Sequence, residues 1–96
     1  MPSYSAGALE RCFTGKLRAA VTTSTKHKRY DFLDDEGRLV ASTMLSHGWR
    51  SSTAVSARMV STIQREMRLQ GQSREFDALV RCPCTRDEWL ALIGDD

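Results

Sequence analysis

The chain has 96 residues, of which 41% are hydrophobic and 27% are charged. A chain of this length buries only about 60–65% of its unfolded surface, so we predict a flexible segment over residues 1–7 and a single α+β domain over residues 8–96. No apolar run approaches the roughly 20 residues that cross a bilayer, and three cysteines are an odd number for a disulfide framework. Membrane-spanning and secreted disulfide-rich classes are therefore disfavoured, and the cytoplasm is the expected location.

Charge is distributed unevenly along the chain. Residues 1–30 carry six basic side chains and one acidic side chain, residues 31–69 are balanced, and residues 70–96 carry three basic and six acidic side chains. The basic character of residues 1–30 is typical of a protein that binds phosphate groups on one face or binds an acidic partner. An unevenly charged, solvated surface is the alternative interpretation.

The first element is predicted to be a helix over Ala8–Val21, where apolar residues recur at helical spacing in ALERCFTGKLRAAV. Gly15 argues against this helix, because glycine destabilises a helix interior by about 1 kcal/mol relative to alanine. The segment Thr22–Thr25 is too rich in β-branched and hydroxyl residues to continue the helix, and we predict a loop there.

An antiparallel β-hairpin follows, either alone or as part of a three-stranded sheet. It is formed by KHKRYDFL, DDEG and RLVASTML, with the turn at Asp34–Gly37. We predict that Leu33 faces Arg38, which places Phe32 opposite Leu39. Because side chains alternate along a strand, one face becomes core and the other stays wet. The predicted core face carries Tyr30, Phe32, Leu39, Ala41 and Leu45, and the predicted wet face carries His27, Arg29, Asp31, Ser42, Met44 and Ser46. His47 falls on the core side unless Gly48 bulges the strand end.

The second half of the chain is predicted to be helical. Residues Ser51–Thr53 supply a cap for a long helix over Ala54–Arg68, which would cross one face of the sheet. A short helix over Arg74–Arg81 ends before Pro83. The segment Thr85-Arg86-Asp87-Glu88 is a capping box that opens a last helix through Ile93, with Trp89, Leu90 and Ile93 buried.

The cysteines, histidines and serines of the chain are candidates for a metal site or a nucleophilic active site. Cys82, Cys84 and the two histidines are ligand types for zinc, but C-x-C is not the usual ligand spacing and no second paired motif accompanies it. Nothing resembles a nucleophile elbow. We therefore predict no metal and no cofactor.

His27 is the strongest candidate for a catalytic residue. A histidine that titrates near neutrality can take the proton of a ribose 2′-hydroxyl or protonate a leaving 5′-oxygen. Lys26, Lys28 and Arg29 beside it would hold phosphate and stabilise developing charge. From the residues alone, the alternative of a solvent-exposed strand histidine without a role stays open.

The order of a helix, a basic S-T-K-H-K-R-Y strand, a D-E-G-R turn, a second strand ending in S-H-G and another helix resembles the HicA family of small toxin ribonucleases. The resemblance spans about residues 8–76. It implies a fold like that of double-stranded-RNA-binding domains, and it places the family's catalytic histidine at His27, with Tyr30 three residues later. Residues 26–93 also resemble a group of small prokaryotic proteins, some of them labelled toxin–antitoxin translational repressors.

Two functions are therefore expected. The first is an RNA-binding protein of the HicA-like toxin type, in its catalytic form a metal-independent ribonuclease, with RNA and an antitoxin or other protein as partners. Its catalytic residue would be His27, and its phosphate contacts would be Lys26, Lys28, Arg29 and Arg50. The second is a non-catalytic binding module, such as a phage-borne inhibitor that binds another protein's nucleic-acid site.

Overall fold

The computed structural model describes residues 4–81 and 84–94. These residues form four helices and two antiparallel sheets, which confirms the predicted α+β class. None of these helices has the length and apolar character of a membrane span. The elements are Tyr4–Ser5 (β1), Ala6–Arg11 (α1) with a π-helical continuation over Cys12–Lys16, Ala20–Thr23 (β2), His27–Leu33 (β3), Leu39–Ser46 (β4), Ala54–Val55 (β5), Ala57–Glu66 (α2), Ser73–Val80 (α3) and Arg86–Gly94 (α4).

Residues 4–7, which the sequence assigns to a flexible segment, instead form β1 and the start of α1. Strand β1 pairs with β5. The backbone N–H of Gly7 donates to the carbonyl of Ser51 at 2.9 Å. A Cβ atom at Gly7 would lie 2.7 Å from the Ser51 Cβ, so glycine is needed for this close approach. Residues 1–3 lie outside the described part of the chain.

Helix α1 differs from the helix predicted over Ala8–Val21 at both ends. It begins at Ala6, after the Ser5 hydroxyl oxygen accepts a hydrogen bond from the Ala8 N–H at 3.1 Å. Its helical continuation ends at Lys16, and Ala20–Thr23 pair with β3 as a strand. Thr22 and Thr23, which were predicted to lie in a loop, therefore belong to strand β2, as expected for β-branched residues.

The three-stranded sheet has the order β2-β3-β4, and its hairpin register differs from the prediction by two residues. Tyr30 lies opposite Thr43 and Phe32 lies opposite Ala41, with a bulge between Phe32 and Leu33. The turn is longer than predicted because one Asp34 carboxylate oxygen accepts the N–H groups of Glu36 and Arg38, both at 2.9 Å. A shift of two residues preserves the faces of both strands.

One face of this sheet carries the core, and the helices pack against it. Phe13 contacts the rings of Tyr30 and Phe32 at centroid distances of 5.2 and 5.4 Å. Leu39, predicted to be core, is instead 56% exposed, since the longer turn places it at the start of β4. Buried on the core face are Tyr30, Phe32, Ala41, Thr43 and Leu45.

The C-terminal helices follow the predicted order with shifted ends. Helix α2 begins at Ala57 rather than Ala54, because residues 54–55 pair with β1, and the Ser56 hydroxyl caps it by accepting the Met59 N–H at 3.2 Å. The predicted capping box is confirmed, since Thr85 and Glu88 exchange hydrogen bonds of 3.0 and 3.2 Å. Trp89 and Ile93 are buried as predicted, whereas Leu90 is half-buried. The predicted stop at Pro83 lies outside the described residues.

Candidate nucleic-acid interface

The hairpin between β2 and β3 fixes the position of His27. Ser24 donates its backbone N–H to the His27 carbonyl at 2.8 Å. The Ser24 hydroxyl also donates to that carbonyl at 3.0 Å and accepts the His27 N–H at 3.2 Å. The backbone N–H and carbonyl of His27 therefore both bond to Ser24. The exposed side chain of His27 lies at the first position of β3.

The end of β4 lies beside this hairpin and brings the second histidine to the same end of the sheet. His27 lies opposite Ser46, and the His47 N–H donates to the Lys26 carbonyl at 2.9 Å. Strand β4 ends at Ser46 and the chain turns over His47–Gly48, so the imidazole of His47 is exposed rather than on the core side. The two histidines flank Lys26 through backbone pairing.

Strand alternation separates the basic residues of β3 into two groups. His27 and Arg29 lie on the open face of the sheet, which no helix covers in the described part of the chain, whereas Lys28 lies on the same face as Tyr30. The Arg29 guanidinium, about half exposed, pairs with the Asp31 carboxylate at 2.8 Å. The Arg29 guanidinium can therefore bind a phosphate only if it also keeps its ion pair with Asp31 or breaks it.

Lys28 belongs to a buried-edge cluster with Glu10 and Tyr30. The Glu10 carboxylate accepts the Tyr30 hydroxyl at 2.7 Å and the Lys28 ammonium at 3.1 Å. These two contacts, the Tyr30 hydrogen bond first, hold the pKa of Glu10 below its ordinary value. Burial above all, and then the bond to Glu10, raises the pKa of Tyr30. The cluster lines a small cavity of about 50 Å³ between α1 and the sheet.

Sequence reasoning missed this cluster, although a signal for it was present. Glu10 is the only acidic residue among the first 30, which also contain six basic residues. An ion pair between Glu10 and one of these basic side chains was therefore to be expected. With Glu10 as its partner, Lys28 is placed away from His27 and is not a ready phosphate contact. Of the residues predicted to hold phosphate, the structure brings Lys26 and Arg29 next to His27.

Arg50 lies in the turn that follows β4. Its backbone carbonyl accepts the Thr53 N–H at 3.0 Å, and its own N–H donates to the Thr53 hydroxyl at 3.1 Å. The side chains of Lys26 and Arg50 are exposed, and neither makes a hydrogen bond or ion pair with residues 4–81 or 84–94. We call Lys26, His27, Arg29, His47 and Arg50 the basic end of the sheet.

Metal binding was tested on the described residues. Within residues 4–81 and 84–94, no three His, Cys, Asp or Glu side chains are grouped to hold a metal ion. Cys84 is half-buried, and burial raises the pKa of its thiol. Cys82 and Pro83 lie outside the described part, so the C-x-C motif as a unit stays untested.

Comparisons with protein-family models, with curated proteins and with solved structures gave no match.

Proposed function

We propose that this protein binds RNA through the basic end of the sheet, as an RNA-binding protein of the HicA-like toxin type. The observation that carries the proposal is the exposed position of Lys26, His27, His47 and Arg50, which have no acidic partner in the described residues. Phosphate contacts from such side chains supply most of the affinity of proteins for nucleic acids.

The order of the elements also supports the proposal. Helix α1, strands β2, β3 and β4, and helix α2 follow one another, with the helices on one face of the sheet. This is the arrangement that the resemblance to the toxin family implies. It leaves the opposite face, with His27 and Arg29, open to a ligand.

Salt dependence tests RNA binding. If the basic end contacts phosphates, the association constant for a structured RNA should fall with roughly the 0.7 to 0.9 power of salt concentration for each phosphate neutralised. Affinity is measured by fluorescence anisotropy across a salt series. A salt-independent affinity, or no binding at low salt, would reject the proposal in favour of a protein partner.

Cleavage is the second step of the proposal, with His27 as the general acid or base. The purified protein should then cleave RNA in the presence of EDTA and leave a 2′,3′-cyclic phosphate or its hydrolysis product. His27→Ala should lower the rate at least about a hundredfold, the contribution of one positioned proton-transfer group. His47→Ala tests whether the second exposed histidine at this end of the sheet shares the proton transfer.

One observation favours the alternative of a non-catalytic binding module. The other two cations of β3 are already engaged, Arg29 by Asp31 and Lys28 by Glu10 on the opposite face. His27 therefore has only Lys26 beside it as a cation without an acidic partner in the described residues. Binding that survives in His27→Ala, with no cleavage by the parent protein, would identify the module.

A further inference from the structure

A second basic surface lies on the outer side of α2 and was not anticipated from the sequence. A groove of about 340 Å³ runs between this helix and the segment that leads to α3. None of the described residues that line it is acidic. Its walls include two arginines, three hydroxyls and an amide: Arg58, Arg65, Ser61, Thr62, Ser73 and Gln70.

Helical periodicity directs these side chains away from the core. Val60 and Ile63 of α2 are buried against the sheet, whereas Arg58, Ser61 and Arg65 are exposed. At about 100° per residue, these three lie on the side of the helix opposite the buried stripe. Arg58, Ser61 and Arg65 therefore border the groove where it opens to solvent, and the buried Gln64 forms its inner wall.

The only carboxylate of α2 is turned away from the groove. Glu66 accepts a hydrogen bond from the buried Thr43 hydroxyl of β4 at 2.8 Å, underneath the helix. One wall is also fixed in place, because the buried Gln64 side chain donates to the Leu69 carbonyl at 2.8 Å and to the Ser73 hydroxyl at 3.3 Å. Two arginines and several hydroxyls, with no carboxylate among the described residues that line the groove, suit a phosphodiester ligand.

The groove and the open face belong to opposite sides of the sheet. His27 and Arg29 lie on the open face, whereas α2, which borders the groove, packs on the core face, where its Glu66 accepts the Thr43 hydroxyl.

We propose that the α2 groove is a second phosphate-binding surface and that one protein molecule joins two RNA segments, one on each side of the sheet. This inference rests on the proposed RNA binding by the basic end of the sheet. It adds a bridging activity to that function, in which neither RNA needs to be cleaved.

A bridging assay tests the inference. One RNA duplex of about 16 base pairs, the length that a double-stranded-RNA-binding domain spans, is immobilised, and a fluorescent copy is added with the protein. The parent protein should retain the fluorescent duplex. The double variant Arg58→Gln, Arg65→Gln should still bind one duplex, with the salt exponent of that binding unchanged, but lose this retention.

Two controls separate the outcomes. Arg11→Gln with Arg18→Gln removes the same charge elsewhere on the exposed surface and should bridge as the parent does. Lys26→Gln with Arg50→Gln should abolish bridging through loss of the other surface, whereas bridging by self-association would persist in Arg58→Gln, Arg65→Gln.

The possible failures are distinguishable. A parent protein that binds no RNA contradicts both proposals. A parent protein that binds one duplex without bridging, or bridging that is undiminished in Arg58→Gln, Arg65→Gln, overturns the second surface and leaves the proposed RNA binding standing.

Discussion

Trp89→Ala tests whether α4 closes the core over the sheet. Trp89 is 1% exposed, and its ring meets Phe32 of β3 edge to face at a centroid distance of 5.4 Å. Its indole N–H donates to the Met67 carbonyl, which follows α2, at 3.3 Å. One side chain therefore ties the last helix to both the sheet and the end of α2.

The expected loss is large relative to the total stability. Truncating a buried tryptophan to alanine costs about 3–5 kcal/mol, and an aromatic pair accounts for roughly 0.5–1.5 kcal/mol beyond its buried area. A protein of this size has a free energy of unfolding of roughly 5–15 kcal/mol. The variant should lose between a fifth and nearly all of its stability.

Thermal melts measure this loss. At about 4–8 °C per kcal/mol, Trp89→Ala should lower the Tm by about 12 °C or more, or abolish the transition. Trp89→Phe keeps a ring against Phe32 but not the hydrogen bond to Met67, so it should lose less. A Tm for Trp89→Ala within about two degrees of the parent would refute the packing of α4 described above.

Three further predictions address the core, the buried-edge cluster and the histidine. Ile63→Ala should lower the free energy of unfolding in denaturant melts by about 2–5 kcal/mol, because Ile63 lies fully buried on the core side of α2; a melt that matches the parent would contradict this. Glu10→Gln should lower stability at neutral pH. Because Tyr30 and Lys28 depress the pKa of Glu10, its contribution is present above the unfolded pKa and is lost as pH falls through the lower folded pKa. The difference between parent and variant should therefore shrink in acid, and a pH-independent difference would argue against the cluster. His27→Ala should retain RNA affinity within about threefold while losing any cleavage activity, since Lys26 and Arg50 remain as charged phosphate contacts; a large loss of affinity would make His27 a binding residue.

Much of the fold follows from local patterns in the sequence. The alternation of Tyr30 and Phe32 with His27 and Arg29 identifies the core and open faces of β3, and this survives a register error because the side-chain period is two. The capping box that begins at Thr85 identifies the start of α4, since its hydrogen bonds are local.

The misplaced features depend on contacts that local patterns do not encode. The hairpin register was wrong because the Asp34 side chain binds two backbone N–H groups and lengthens the turn. The two-residue pair of β1 with β5 is too short to leave a periodic signal, and it delays the start of α2. The partner of Lys28 is Glu10, 18 residues away along the chain, and only the packing of α1 on β3 brings the two together.

RNA affinity of two double variants tests the proposed interface most directly. Lys26→Gln with Arg50→Gln removes two charges at the basic end of the sheet that have no acidic partner in the described residues. Arg11→Gln with Arg18→Gln removes two exposed charges elsewhere that also lack such a partner in the described residues. Across a salt series, the first variant should bind structured RNA more weakly for every sequence tried, with a salt exponent lower by about two phosphate contacts. The second variant should bind as the parent does. Equal affinities and equal salt exponents in the two variants would contradict RNA binding at the basic end of the sheet.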